Sequence, residues 1–135
     1  MTICFKVAGN PQPQARPRTF FSGGRPITFS EKSDFRKQVY AKALESRHTA
    51  PLDRALGLVL RFHMRRPKTG HRGALWHITR PDMDNLEKAV MDAITDAKIW
   101  RDDSLVAFKR SEKTYSDEFV GVEISITELE DVPHE

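Results

Sequence analysis

The stretch Arg80-Pro81-Asp82-Met83-Asp84-Asn85-Leu86-Glu87-Lys88-Ala89-Val90-Met91-Asp92-Ala93, answered shortly afterwards by Asp102-Asp103-Ser104, decides how this chain is read. Placed at 100° per residue, Leu86, Ala89, Val90, Ala93, Ile94 and Ala97 share one face, with Lys88, Asp92 and Thr95 opposite. The pattern predicts an amphipathic helix from Asp84 to about Lys98. Two carboxylates open it and a second pair follows it. Like charges brought close repel and raise one another's pKa, so converging carboxylates imply a cation or a shared proton. A plainer explanation exists for part of this. Asp84 suits the helix N-cap, with Glu87 completing a capping box, Asp82 favours the positive helix end, and Lys88 and Asp92 form an i,i+4 surface pair. A turn after the helix tolerates Asp102 and Asp103 at little cost. Capping leaves Asp82 half explained.

Working outward, Thr2 to Val7 reads as a strand, ended by Gly9-Asn10-Pro11-Gln12-Pro13, where the prolines forbid helix and interior strand. Thr19-Phe20-Phe21 and Ile27-Thr28-Phe29 form a small hairpin around glycines. Ser30 caps a second helix running to about Arg47, with Phe35, Val39, Tyr40, Ala43 and Leu44 on one side. Leu58, Leu60, Phe62 and Met64 alternate with Val59, Arg61 and His63, a strand with one buried and one basic face. From Arg65 to Thr79 no period survives, which marks a long loop of the kind that is usually functional or disordered. Two strands close the chain, Leu105 to Arg110 and Phe119 to Thr127. With no repeat, low-complexity segment or linker, residues 1–135 make one α+β domain, a small mixed β-sheet with two main helices.

Composition narrows the function classes. Apolar content of 39% and charged content of 30% fit a soluble globular protein. No apolar run approaches the roughly 20 residues of a membrane helix, and residues 1–6 lack the pattern of a secretory signal. The single cysteine, Cys4, excludes an internal disulfide and fits a reducing, cytoplasmic setting; its place in a strand suggests a small buried hydrophobe. Net charge is +3, but its distribution is informative. The first thirty residues hold Lys6, Arg16, Arg18 and Arg25 and no acid. Residues 61–80 hold Arg61, Arg65, Arg66, Lys68, Arg72 and Arg80, again with no acid. From 101 onward ten acidic residues face four basic ones. Two acid-free basic stretches flanking an acidic cluster suggest a polyanion guided to a metal-holding site.

The segment from Arg80 to Ile94, then Trp100-Arg101-Asp102-Asp103-Ser104-Leu105-Val106, closely resembles the RusA family of Holliday junction resolvases. Gly9-Asn10-Pro11-Gln12-Pro13-Gln14-Ala15-Arg16-Pro17-Arg18 is similar to the family's N-terminal Pro-rich basic signature. The resemblance implies a small homodimeric, Mg2+-dependent endonuclease, with Mn2+ able to substitute, that nicks four-way DNA junctions symmetrically in recombination and repair. Such enzymes occur in bacteria, especially phages and prophages. Carried over residue by residue, the catalytic carboxylates and metal ligands fall on Asp82, Asp84 and Asp103, and the catalytic lysine on Lys88. Leu105 stands where many members have glutamine, and the loop from Arg65 to Thr79 does not align. DNA contacts are expected from Arg16, Arg18, Arg65, Arg66, Lys68, Arg72 and Arg80.

The chemistry suits these residues without the name. Phosphodiester hydrolysis asks for a hard cation to neutralise the phosphate and acidify a water, and carboxylate oxygens are what Mg2+ prefers. Lys88 can stabilise charge on the phosphate or leaving oxygen, and Asp102 can serve as an outer member of the site. Zinc is disfavoured because Cys4 is remote and His63, His71 and His77 lack a compact ligand spacing, so the three read as exposed loop or strand histidines. A helix from Asp84 to Lys98 would run on the order of 20 Å, and Asp103 follows five residues later. Asp103 therefore meets Asp82 and Asp84 either across a dimer axis or by a fold-back within one chain. Two other functions use parts of this set: a metal-dependent nuclease of flap or other branched DNA without junction preference, and a non-catalytic DNA-binding module.

Overall fold

The computed structural model of the chain describes residues 1–13, 18–29, 33–47, 50–70 and 73–131. Alternation at every second residue builds the central sheet. Strand β1 (Thr2–Ala8) buries Ile3, Phe5 and Val7; β4 (Leu56–Arg65) buries Leu58, Leu60, Phe62 and Met64; β6 (Gly121–Glu128) buries Val122, Ile124 and Ile126. With β5 (Val106–Ser116) they form a four-stranded sheet in the order β1-β6-β4-β5. Strand β6 runs antiparallel to both neighbours, pairing Ile124 with Phe5 on one side and Leu60 on the other. Strands β4 and β5 are parallel, with Leu60 opposite Ser111 and Met64 opposite Tyr115. A parallel pair needs a crossover, and helix α2 (Met83–Asp96) supplies it. The expected mixed sheet with two helices is what forms.

Helix α1 (Asp34–Ser46) packs on β1 and α2. Its N-cap is Ser33, whose hydroxyl accepts from the Arg36 amide at 3.2 Å; Ser30, the residue expected to cap, lies outside the described residues. The buried face is also narrower than expected. Phe35, Val39 and Ala43 are buried, whereas Tyr40 and Leu44 are 39% and 42% exposed, one step round the helix. Arg36 fills the seam instead. Its guanidinium reaches Asp96 at 2.7 Å and Asp92 at 3.9 Å, tying α1 to α2.

All six apolar residues expected on the inner face of α2 are fully buried. The helix stops earlier than expected, at Asp96, through a Schellman turn. Lys98 adopts φ 61, its amide donates to the Thr95 carbonyl at 3.1 Å, and the Ile99 amide donates to the Ile94 carbonyl at 3.3 Å. The chain then turns back to pair with Leu52, which bonds the Ile99 carbonyl and the Arg101 amide. Trp100 is left fully buried, with Nε1 donating to the Thr95 hydroxyl at 2.7 Å.

Strands β2 (Arg18–Ser22) and β3 (Arg25–Phe29) make a separate two-stranded sheet. Gly23 and Gly24 both take positive φ, 59° and 76°, as a two-residue hairpin turn requires. Phe20, Phe21 and Ile27 are exposed on it. Cys4 is exposed rather than buried, because its parity in β1 is opposite to Ile3 and Phe5 and puts it on the outer sheet face beside Ser125. Among the described residues no helix is long and apolar enough to cross a membrane.

Lys98→Gly removes a side chain from left-handed backbone and is expected to raise unfolding free energy by about 1 kcal/mol. Arg36→Ala strips a charged hydrogen bond from the α1–α2 seam and is expected to lower it by about 2 kcal/mol. Urea denaturation of the two variants beside the parent checks both signs.

Candidate active site

The start of α2 is built differently from the capping pattern expected of Asp84 and Glu87. The N-cap is Asp82, with extended backbone (φ −69, ψ 147) and a carbonyl that accepts from the Leu86 amide at 3.2 Å. Its carboxylate makes no cap bond and is exposed. Asp84 sits in the first turn, its Oδ1 accepting from the Asn85 amide at 3.0 Å. There is no capping box. Glu87 turns to the sheet, accepting from the Ser111 hydroxyl at 2.5 Å and lying 3.3 Å from Lys109 Nζ. Two carboxylates thus stand exposed at the N-terminal end of a helix. Lys88 is exposed one turn beyond Asp84, and pairs with Asp92 at 3.9 Å as expected.

Lys113 on β5 holds the segment leading into this corner. Its ammonium donates to the Thr79 carbonyl at 3.0 Å and the Pro81 carbonyl at 2.7 Å. Burial pushes its pKa down, and the negative charge of Asp82 pulls it partly back. Sequence reasoning missed Lys113. The available signal was the polar alternation Lys109, Ser111, Lys113 in a strand, since that row faces the start of α2.

The second acidic pair divides its labour. Asp102 caps the short 3-10 turn Asp103–Leu105 by accepting from the Ser104 amide at 3.0 Å, and the hydrogen bonds from Ser104 hold its carboxyl below the usual carboxylate range. Asp103 is exposed, and among the described residues its carboxylate has no hydrogen-bond or ion-pair partner. It does not join the first pair within the chain. Strand β5 runs back along α2, with Ser111 beside Glu87 and Lys113 beside Pro81. From Val106 to Lys113 is seven residue steps of about 3.3 Å, roughly 23 Å, which puts Asp103 towards the other end of the helix. Among the described residues no group of three His, Cys, Asp or Glu side chains could hold a metal ion.

The basic residues also separate. Arg65, Lys68 and Arg80 are exposed and without an ion-pair partner among the described residues. Arg66 is engaged inside the fold: it donates to Asp117 and to the Ala74 carbonyl, both at 2.8 Å, and lies 5.5 Å above the Tyr115 ring. Arg16 and Arg72, and the side chain of Arg18, lie outside the described residues. His63 and His77 are not the exposed residues expected. His77 is buried edge-on against Tyr115 at 5.1 Å, and His63 is half-buried against Phe119 at 5.3 Å and 3.7 Å from Glu123. His71 lies outside the described residues.

Exposed carboxylates at a helix start, a neighbouring lysine and arginines without an ion-pair partner among the described residues, on an α+β fold, fit an enzyme that cuts DNA. Residues 8–127 match the family described as Endodeoxyribonuclease RusA, and the chain belongs to that family of Holliday junction-resolving endonucleases. It is similar to the protein named "Uncharacterized protein YqaN" of Bacillus subtilis (strain 168), 31% identical over 140 residues that cover 94% of this chain and 96% of that one. It is also similar to "Crossover junction endodeoxyribonuclease RusA" of Escherichia coli O139:H28 (strain E24377A / ETEC), 46% identical over 52 residues, 38% of this chain and 43% of that protein. A third relative is "Crossover junction endodeoxyribonuclease rusA" of Lactococcus phage r1t, 39% identical over 54 residues, 40% of each chain. The matches to the two named endonucleases therefore span less than half of their length.

Lys113→Met leaves the Thr79 and Pro81 carbonyls without their donor. It is expected to lower stability by about 1–2 kcal/mol and to speed amide exchange across residues 79–84, measured by hydrogen–deuterium exchange.

Proposed function

We propose that the protein resolves four-way DNA junctions as a homodimer, with Mg2+ held by Asp82, Asp84 and Asp103 and with Mn2+ as a working substitute. The observation that carries this reading is the exposed Asp82 carboxylate, which makes no cap hydrogen bond, beside the exposed Asp84 carboxylate, which accepts only the neighbouring Asn85 amide among the described residues. A carboxylate at an N-cap ordinarily bonds the first-turn amides, and Asp82 does not. Two exposed carboxylates at one helix end offer the hard oxygen donors that fit Mg2+, and a third is expected to complete the set. When bound, the cation supplies charge neutralisation at the phosphate and a more acidic water.

The chain's own residues do the rest. Lys88, one turn along the same helix, meets the negative charge that develops on the phosphate oxygens and the leaving oxygen. Lys113 fixes the Thr79–Pro81 segment so that Asp82 keeps its direction. Arg65, Lys68 and Arg80 hold the phosphate backbone, with Arg16, Arg18 and Arg72 as the remaining expected contacts. Phosphate contacts of this kind position a duplex without reading its sequence.

Asp103 of the partner subunit completes each centre. Within one chain Asp103 and Asp82 stand towards opposite ends of α2, so a second copy related by a two-fold axis can bring its Asp103 to Asp82 and Asp84 and accept the reciprocal contribution. That arrangement makes two equivalent sites, which suits paired cuts in strands of a symmetric junction. The helix and the strand β5 that runs back along it set the spacing.

The deciding experiment is incubation with a synthetic four-way junction and Mg2+ beside an Asp82→Asn control. Paired symmetric nicks in the parent and none in the control are expected; cleavage that survives in the control sinks the site, and equal cutting of flaps and junctions points to a general branched-DNA nuclease. Asp103→Asn is expected to cost about a thousandfold or more in rate, whereas Asp102→Asn keeps a good cap and stays near the parent. Mixing Asp82→Asn with Asp103→Asn protomers is expected to restore one centre per heterodimer, read as single nicks. If both stay dead, the site belongs to one chain.

A further inference from the structure

Beside the start of α2 lies an open cleft of about 380 Å³, lined by Trp76, Ile78, Met83, Arg110, Glu112 and Lys113 among others. The segment that supplies its apolar wall is held in place: the Tyr115 amide donates to the Leu75 carbonyl at 2.8 Å, the His77 amide to the Lys113 carbonyl at 3.1 Å, and Trp76 bridges Thr114 across the edge of β5. Buried His77 packs against Tyr115 and anchors it further. Yet Trp76 is 56% exposed and Ile78 75% exposed. A fixed backbone that presents a tryptophan and an isoleucine to solvent does so at a cost in exposed apolar area, which a ligand can remove.

We propose that this cleft is a base-stacking subsite, in which an unpaired nucleobase at the branch point lies on the Trp76 indole with Ile78 beside it. The proposal rests on the junction-nuclease reading above and names which part of the DNA that site takes. Three observations favour a nucleobase over another apolar occupant. Met83 lies between Asp82 and Asp84 in sequence and lines the same cleft, so a base held there brings its own backbone to the start of α2. Arg110 lines the cleft and has no ion-pair partner among the described residues, while Glu112, the one acid in that wall, is 3.6 Å from Arg61. The segment also ends a loop that is rich in arginine and free of acids. Aromatic faces flanked by cations take bases irrespective of sequence, because every base has a π face.

A base in intact duplex is stacked on its neighbours and unavailable; one at a branch point is already partly free, so its extrusion costs less. The subsite therefore discriminates branched DNA from duplex by structure. Lys113 links the two functions, since it holds the Thr79–Pro81 segment between Ile78 and Asp82 and lines the cleft as well.

The test measures binding of a four-way junction and of a duplex of equal length, in EDTA, by the parent, Trp76→Phe and Trp76→Ala, with 2-aminopurine at the branch point as the stacking probe. Trp76→Ala is expected to weaken junction binding about tenfold to a hundredfold, leave duplex binding within about twofold, and abolish the quenching of 2-aminopurine; Trp76→Phe keeps most of both. Equal loss on the two DNAs, no loss on either, or unchanged quenching in Trp76→Ala overturns the subsite. So does a change of sedimentation coefficient in the DNA-free variant, which assigns the surface to a second copy of the chain. Buried Trp100 serves as the internal reporter of folding, its emission being unchanged in a folded variant. Because these readouts need no cleavage, they stay separate from the Asp82→Asn result: cleavage surviving in Asp82→Asn overturns the carboxylate site and leaves the binding ratio to decide the subsite.

Discussion

The parallel pairing of β4 with β5 is the constraint on which the remainder depends. Parallel neighbours cannot be joined by a tight turn, so the chain must leave the end of β4, cross the sheet and return to the start of β5. The crossing element is α2, and its length sets the distance between the two acidic pairs. Asp82 and Asp84 open the helix at one end of the crossover, while Asp103 waits where β5 begins. The sheet thereby separates carboxylates that lie about twenty residues apart in sequence. It also returns Lys109, Ser111 and Lys113 along the helix to support its start.

Charge is arranged by the same geometry. Helix α2 carries an apolar stripe on its inner side, and Asp82 and Asp84 open it at its N-terminal end. Arg36 and Glu87 use charge inside the fold to join elements, one across the helix seam and one from helix to strand. Arg66 likewise joins elements, through Asp117 and the Ala74 carbonyl. Arg65, Lys68 and Arg80 are left to the solvent. An arginine's role is decided by whether the fold offers it a carbonyl or carboxylate within reach, and composition cannot report that.

Much of the architecture was legible because it rests on periods. The strand alternation around Leu58 to Met64 and Val122 to Ile126, the glycine turn of the hairpin and the buried stripe of α2 all appear where they were expected. Features that depend on a single residue's parity or partner were harder. Cys4 falls on the outer face because it is out of step with Ile3 and Phe5. Tyr40 and Leu44 belong to an amphipathic stripe that the sheet does not cover as widely as a helical wheel suggests. The capping box at Asp84 and Glu87 is a sound local motif, yet Ser111 and Lys109 offer Glu87 a better partner from a distant strand, and the cap moves to Asp82.

From sequence alone came the candidate chemistry: two acidic pairs, a lysine six residues after Asp82, two basic stretches ahead of them, and a likeness that family membership then bore out. Those are matters of residue type and spacing, which local order along the chain preserves. Only the tertiary structure decided that Asp102 is spent on a turn while Asp103 has no side-chain partner among the described residues, that Lys113 braces the approach to Asp82, and that Trp76 and Ile78 stand exposed beside it. Each depends on a strand arriving from elsewhere in the chain. Hydrogen bonds and burial are settled between elements, and no periodicity within one element encodes its partner.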